Sequence, residues 1–178
     1  MSLRLAVLVS GRGSNLAAII DAIAGGRLDA QVAGVISDQP DAPALARAAA
    51  AGIDAVAVAR AQFRSRRQWE AALAEAVESF RPDLVLLAGF MRILSPVFLE
   101  RFGGQVINIH PSLLPAFPGL EAQRQALAGG AKISGCTVHY VDSGCDTGPI
   151  IAQREVPVLE DDDVESLSAR ILEQEHAL

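Results

Sequence analysis

Two polar side chains at the end of an apolar stretch could act on a carbonyl group. Asn108 and His110 follow Val106 and Ile107, and the alternation of a β-strand places residues two apart on the same face. An amide N–H and an imidazole can both donate to a carbonyl oxygen that becomes anionic under nucleophilic attack. An isolated Asn-x-His pair more often serves local backbone hydrogen bonding, so its role depends on the groups that accompany it.

A carboxylate that could partner His110 occurs farther along the chain. Asp146 lies in the glycine-rich stretch from Asp142 to Pro149, between two predicted strands. A carboxylate beside an imidazole favours its charged form and can accept a proton from an attacking nucleophile, although a lone loop aspartate is more often a turn former. His139, on the same predicted face as Thr137, is interpreted as a buried core histidine or as a neighbour of the reacting groups.

A glycine loop near the start of the chain is suited to an anion. The run Gly11-Arg12-Gly13-Ser14-Asn15 separates a predicted strand from a predicted helix, where free backbone N–H groups and the helix dipole favour a phosphate. Leu16 stands where a dinucleotide fingerprint needs glycine or alanine, although Asp38 after the second strand could mimic its ribose-binding acid. The loop also lacks the Gly-Lys-Ser or Gly-Lys-Thr of nucleoside triphosphate sites. Two interpretations remain, a site for one phosphate monoester and a plain tight turn.

Metal chemistry and covalent catalysis are disfavoured by the spacing of the candidate groups. The His, Cys and Asp side chains to consider are His110, His139, Cys136, Cys145 and Asp146. They include no i, i+4 pair on a helix and no CxxC pair, so no metal site is predicted. Ser112 lacks the Gly-x-Ser-x-Gly turn of an activated serine, and the sequence shows no base beside Cys145.

The candidate residues belong to a chain that alternates apolar strands with amphipathic helices. Strands are predicted over Leu3–Val9, Gln31–Ser37, Ala55–Val58, Asp83–Ala88, Val106–Ile109, Gly135–Val141 and Ile150–Val158. Helices are predicted over Asn15–Ala24, Ala44–Ala51, Arg66–Phe80 and Ala122–Leu127, and from the acidic run at Glu160 to His176. This alternation predicts an α/β fold, with a mostly parallel central sheet, helices on both faces and an antiparallel C-terminal strand pair.

Length and composition indicate a globular domain that acts on small molecules. The chain has 178 residues, half of them hydrophobic, which is enough to bury a core. A net charge of −6, with no basic stretch beyond Arg64–Arg67, predicts no nucleic-acid partner. The absence of a leader or of an apolar run of bilayer length predicts a cytoplasmic protein without a membrane partner, and its two cysteines are expected to be reduced thiols.

Four motifs that occur in one order carry a family resemblance. They are Gly13-Ser14-Asn15, the stretch Leu87–Leu94, the stretch Asn108–Pro115, and Asp146 in Asp-Thr-Gly-Pro. Together they closely resemble the phosphoribosylglycinamide formyltransferase family, from Leu3 to His176. The resemblance implies a Rossmann-like formyltransferase fold and the transfer of a formyl group from 10-formyltetrahydrofolate to the amine of glycinamide ribonucleotide, in purine (IMP) biosynthesis. It also implies a single domain over residues 1–178, with a phosphate-binding half of about 1–100 and a folate and catalytic half of about 101–178.

The resemblance also implies roles for individual residues. Asn108 and imidazolium His110 would stabilise the oxyanion, and Asp146 would keep His110 charged and assist proton removal. The implied ribonucleotide-binding residues are Gly13, Ser14 and Asn15 at the phosphate and Glu175 at the ribose or glycinamide end. The implied folate-binding residues are Met91, Arg92, Ile93 and Leu94 along the pterin, Arg66 facing the folate tail, and Asn108. The partners would be these two small molecules, without a metal, and the protein would be a monomer or a homodimer.

The chain departs from the family pattern in two places. Glu121-Ala122-Gln123 stand where many relatives carry histidines, so an assisting histidine is absent there, while the three catalytic residues are intact. The last helix has no glycine or proline stop soon after Glu175, which is consistent with a truncated C-terminal end.

Several alternatives share part of the pattern. Within the same chemistry they are formyltetrahydrofolate hydrolase, methionyl-tRNA formyltransferase and a sugar-nucleotide formyltransferase. The first two normally carry an additional domain for which this chain has no room, and the glycine loop suits a single phosphate better than a sugar nucleotide. From a different class, a non-catalytic folate or phosphosugar binding module would not need Asp146 together with Asn108 and His110.

Overall fold

The computed structural model describes residues 2–178, which divide into two compact units, one up to Ile107 and the other Asn108–Leu178. The first unit contains β1 Leu3–Val9, α1 Ser14–Ala24, β2 Ala30–Ser37, α2 Pro43–Ala50, β3 Ala55–Ala57, α3 Arg66–Ser79, β4 Leu84–Leu87, α4 Pro96–Arg101 and the start of β5 Val106–His110. A short 3-10 helix, Arg60–Gln62, precedes α3. The second unit contains the end of β5, α5 Ala122–Ala128, β6 Ile133–Tyr140, β7 Ile150–Pro157 and α6 Val164–Ala177.

The first unit is built on parallel strands in the order β3-β2-β1-β4. β1 is apolar throughout its centre because both faces are covered, and Leu5–Val9 are at most 2% exposed. Leu16 of α1 and the alanines Ala44 and Ala48 of α2 belong to the same buried cluster. The carboxyl ends of β1, β2 and β4 lie at one edge of the sheet, where ligand-binding loops of open α/β sheets occur.

The second unit is built on an antiparallel pair. β6 and β7 run in opposite directions, with Thr137 opposite Gln153. Side chains of α5 and α6 pack against this pair, in a buried cluster made of Ala126, Cys136, Val156, Leu167 and Ile171. α6 begins at Val164, after the acidic run, because the Asp163 carboxylate accepts from the backbone N–H of Ser166 and the Ser166 hydroxyl accepts from that of Asp163.

The observed elements confirm the predicted fold class of parallel strands alternating with helices and an antiparallel C-terminal strand pair. Helix α4 and the 3-10 helix were not predicted. The boundary between the two compact units falls after residue 107. Within residues 2–178, no helix has the length and apolar character needed to cross a membrane.

Candidate active site

Asn108 and His110 lie on β5 and enter one hydrogen-bonded cluster of the second unit. The His110 ring is buried, and its Nε2 lies 2.9 Å from the carbonyl oxygen of Phe117. A carbonyl oxygen can only accept a hydrogen bond, so this nitrogen is assigned the proton. The amide nitrogen of Asn108 lies 3.2 Å from Nε2 of His139 on β6.

The loop between β6 and β7 presents Asp146 through its own turn chemistry. The Asp142 carboxylate accepts a 2.6 Å hydrogen bond from the Thr147 hydroxyl. Gly148 passes so close to the carbonyl oxygen of Tyr140 that a Cβ would collide with it. Asp146 has a φ of 55°, in the left-handed region that aspartate tolerates better than most residues with a side chain. The glycines and aspartates that predicted a turn therefore shape this loop.

Asp146 lies between two histidines. Its Oδ2 is 3.3 Å from Nδ1 of His110, and its Oδ1 is 3.6 Å from Nε2 of His139. The backbone N–H of Gly119 donates to Oδ2 at 2.8 Å. Burial alone would raise the pKa of Asp146, but the hydrogen bonds from His139 and Gly119 and the nearby His110 lower it to about 2. The carboxylate is therefore ionised through the neutral range.

His139 is a member of this cluster that sequence reasoning did not assign to the site. It is only 2% exposed, and its Nδ1 donates to the carbonyl oxygen of Tyr140 at 2.8 Å. Burial lowers the pKa of His139, but Asp146 and the Tyr140 carbonyl outweigh burial, so that the pKa lies above its usual 6.5. Strand alternation with Thr137 was the only sequence signal for its orientation.

Nε2 of His139 faces both Asn108 and Asp146, so its protonation decides which of them it binds. When the ring is neutral with its proton on Nδ1, Nε2 accepts from the Asn108 amide. When the ring is protonated, Nε2 donates to the Asp146 carboxylate instead. The cluster thus contains N–H groups that could donate hydrogen bonds to an oxyanion and a carboxylate that could accept a proton.

Backbone groups after β5 complete the surroundings of Asp146 and His110. Phe117 supplies a carbonyl to His110, and Gly119 supplies an N–H to Asp146. Phe117 and Glu121 both adopt positive φ, 54° and 55°, which is uncommon for residues other than glycine. The segment from Phe117 to Gly119, just before Glu121, therefore contacts the cluster through main-chain atoms.

The thiols do not provide an activated nucleophile. Burial is the main cause that raises the pKa of Cys136, to about 11, and it also raises the pKa of Cys145, together with the adjacent Asp146. Both side chains are therefore protonated at neutral pH. Among residues 2–178, no group of three or more His, Cys, Asp or Glu side chains is arranged to hold a metal ion.

The predicted phosphate loop lies in the first unit, between β1 and α1. Gly13 is the N-cap of α1 with a φ of 72°, and a Cβ built on it would lie 2.6 Å from the Cβ of Ala44. Both the conformation and the space therefore require glycine. As the N-cap residue, Gly13 has no side chain with which to cap α1, whose first residues are Ser14 and Asn15. Such an N-terminus directs backbone N–H groups toward an anion.

Asp38 is not available to hold a ribose as it would be in a dinucleotide site. Its side chain is 0% exposed and pairs with Arg92, whose Nε lies 2.7 Å from Oδ2. Its Oδ1 accepts a 2.6 Å hydrogen bond from Ser10. This network supports the interpretation that the glycine loop is not a dinucleotide fingerprint.

The predicted folate-binding residues after β4, Met91–Leu94, form one strip of the first unit that is exposed except at its last residue. Met91 and Ile93 are 66% and 57% exposed, whereas Leu94 is buried. Arg92 is directed to Asp38, and Arg66 donates to the carbonyl oxygen of Ile93 at 2.7 Å. The structure therefore brings Arg66 together with this strip.

Glu175 lies in the second unit near the end of α6. It is half-buried, and its charge contributes to the raised pKa of Cys136, after burial. The predicted ribonucleotide-binding residues are thus divided between the two units, Glu175 in the second and Gly13–Asn15 in the first.

The chain was compared with protein families and with known proteins. The model of the formyl transferase family matches residues 3–178. The phosphoribosylglycinamide formyltransferase of Escherichia coli K12 is 44% identical over 176 residues, which are 99% of this chain and 83% of that protein. The trifunctional purine biosynthetic protein adenosine-3 of Drosophila melanogaster is 50% identical over 175 residues, which are 97% of this chain and 13% of that protein.

Solved structures agree with the sequence comparisons. The crystal structure of glycinamide ribonucleotide transformylase 1 from Symbiobacterium toebii has a TM-score of 0.97 and 54% identity, and covers 99% of this chain and 84% of that one. The phosphoribosylglycinamide formyltransferase of Bacillus halodurans has a TM-score of 0.95 and 42% identity, with coverage of 98% and 90%.

Proposed function

The chain belongs to the formyl transferase family, and from this membership we propose that it transfers a formyl group from 10-formyltetrahydrofolate to the amine of glycinamide ribonucleotide in purine biosynthesis. The observation that carries the proposal is the cluster in which ionised Asp146 lies between His110 and His139, with Asn108 bonded to His139. Residues 1–178 would act as one formyltransferase domain.

The reaction is a direct attack of the substrate amine on the formyl carbon. A C–N bond forms, and the formyl oxygen becomes an anion that Asn108 and His110 stabilise by donating hydrogen bonds. Breaking the bond between the formyl carbon and the folate nitrogen then releases tetrahydrofolate. The amine proton leaves with the help of Asp146, which is ionised at neutral pH, and a proton is delivered to the folate nitrogen. The atoms balance without an oxidant, a reductant or a metal.

The remaining predicted residues would bind the two substrates. Gly13, Ser14 and Asn15 would hold the phosphate at the N-terminus of α1, and Glu175 would contact the ribose or glycinamide end. The strip Met91–Leu94 would line the pterin with its backbone, Arg66 would lie near the folate tail, and Asn108 would contact the folate at the reacting formyl group.

The proposal is tested by measuring tetrahydrofolate release from 10-formyltetrahydrofolate with and without glycinamide ribonucleotide. We expect release only when the ribonucleotide is present. Equal release in both reactions would overturn the proposal and identify a hydrolase.

A matched pair of variants tests the site. His110→Ala should lower kcat by about 10²–10³-fold, as expected when an oxyanion donor is removed. His176→Ala alters an exposed histidine in the last turn of α6 and should leave kcat unchanged. Equal kcat values for the two variants would remove His110 from the proposed role.

A further inference from the structure

Asp38 is a buried charge that the proposed reaction does not use. It follows β2 directly, and its side chain is fully buried. A buried carboxylate is costly unless hydrogen bonds and an opposite charge compensate it. Asp38 has these partners, since Ser10 Oγ lies 2.6 Å from Oδ1, while Arg92 Nε and Gln39 Nε2 lie 2.7 and 3.1 Å from Oδ2.

Ser10 connects the Asp38 carboxylate to the backbone of the loop that follows β4. Its hydroxyl donates to Asp38 and accepts a 2.9 Å hydrogen bond from the N–H of Met91. The Ser10 N–H also donates to the carbonyl oxygen of Gly89 at 3.1 Å. Asp38 therefore acts on the strip Met91–Leu94 at two consecutive residues, on Met91 through Ser10 and on Arg92 directly.

The far end of the strip is held by a second carboxylate. Glu70 Oε1 accepts from the N–H of Ser95 at 3.0 Å and pairs with Arg66 at 3.1 Å. Arg66 also donates to the carbonyl oxygen of Ile93. Burial anchors the strip at Leu94, whereas the exposed side chains of Met91 and Ile93 pack little, so the backbone from Met91 to Ile93 depends on these polar contacts.

We infer that Asp38 is a positioning residue for folate binding, and this inference rests on the proposed function. By holding Arg92 and the N–H of Met91, it keeps the backbone of Met91–Leu94 in the form that receives the pterin. In an Asp38→Asn variant the new amide has nearly the size of the carboxylate, but if its oxygen accepts from Ser10, its NH₂ group faces the donors of Arg92 and Gln39. The backbone of Met91–Leu94 would then lose the contacts that hold it, while the volume of the side chain at position 38 stays nearly the same.

The test compares Asp38→Asn with Glu78→Gln. Glu78 also pairs with an arginine of the first unit, Arg101 at 2.6 Å, but contacts neither Ser10 nor the strip Met91–Leu94. We expect Asp38→Asn to raise the KM for 10-formyltetrahydrofolate and the calorimetric Kd for tetrahydrofolate about tenfold, as expected for a lost charge-assisted hydrogen bond. The kcat and the KM for glycinamide ribonucleotide should stay within about twofold. Glu78→Gln should change none of these quantities.

A second readout and a second variant keep the inference separable from the proposed function. Hydrogen exchange at the Met91 amide should be about tenfold faster in Asp38→Asn and in Ser10→Ala than in the wild type or Glu78→Gln. Unchanged tetrahydrofolate affinity in Asp38→Asn, with a wild type that binds, would overturn the inference alone. A wild type that neither binds tetrahydrofolate nor releases it from 10-formyltetrahydrofolate would overturn the proposed function and this role of Asp38 together.

Discussion

At the scale of single residues, the cluster on β5 and β6 depends on one carboxylate that serves two rings. Asp146 offers one oxygen to His110 and the other to His139. Because the pKa of Asp146 is lowered to about 2, the carboxylate stays negatively charged at the pH values where His139 changes its protonation. His139 therefore gains or loses its proton beside a fixed negative charge.

Removing the charge of Asp146 should affect both a rate and a titration. In Asp146→Asn we expect kcat to fall by about 10²–10⁴-fold, because proton removal from the amine loses its acceptor. The pKa of His139 should fall as well, because Asp146 is the main group that raises it against burial. NMR titration of the His139 ring measures this shift, and an unchanged pKa would contradict the assigned contact.

His139 should make stability depend on pH. Its folded-state pKa is raised, so its contribution to the free energy of unfolding is complete below the unfolded value of 6.5 and is lost as the pH rises through the raised value. The loss of stability in His139→Gln should therefore be larger at about pH 6 than at about pH 9. Urea unfolding at both values measures it, with His176→Gln as the exposed control, and equal losses would refute this linkage.

Sequence reasoning reached part of this cluster. Strand alternation placed Asn108 and His110 on one face, Asp146 was the candidate carboxylate partner in a glycine-rich loop, and the family resemblance implied the roles of all three. His139 was not assigned, since alternation indicates which face a side chain occupies but not which loop lies opposite. The main-chain groups of Phe117 and Gly119 carry no side-chain signal at all.

At the scale of elements, the strands were the easiest to predict. β1 has the predicted bounds, because its apolar run is flanked by polar residues and by the glycine turn. Helix α4 was missed although Ser95 caps it and Pro96 occupies its first position, a pattern typical of a helix start. Its six residues are too few to show a helical period, so the capping signal had no support from the sequence around it.

The turn between β1 and α1 offers a matched test of glycine chemistry. Gly13→Ala should lower the free energy of unfolding by about 1–3 kcal/mol, because its Cβ would overlap Ala44 and its φ is positive. Gly11→Ala, in the same loop, places its Cβ in open space and should stay within about 0.5 kcal/mol of the wild type. Chemical denaturation of both variants measures their free energies of unfolding. Equal values for the two variants would indicate a flexible loop and contradict this prediction.

At the scale of the whole molecule, the two compact units carry different parts of the proposed function. The first unit holds the glycine loop and the strip Met91–Leu94, and the second holds Asn108, His110 and Asp146, for which we propose the catalytic role. The match of this chain to 13% of a trifunctional protein indicates that a segment of this length recurs within longer chains.

Chelation provides a test that concerns the whole protein. Direct transfer between two organic substrates needs no Lewis acid, and residues 2–178 contain no group of side chains arranged for a metal. We expect extensive dialysis against EDTA to leave kcat/KM unchanged. A loss that added Zn²⁺ or Mg²⁺ restores would contradict the proposed direct mechanism.

The hydrogen bond from His110 to Phe117 has a consequence for how a substrate would enter. The N–H at Nε2 of His110 already donates a hydrogen bond to the backbone carbonyl oxygen of Phe117. When a formyl oxygen binds this nitrogen, His110 exchanges one carbonyl acceptor for another. Its N–H therefore does not have to lose a hydrogen bond before it gains the new one. Competition with an internal acceptor also sets a threshold, because a visiting oxygen gains from His110 only to the extent that it is the stronger base. That advantage grows as negative charge develops on the reacting oxygen. Competition with the neutral carbonyl of Phe117 would therefore favour binding of the transition state over binding of the substrate.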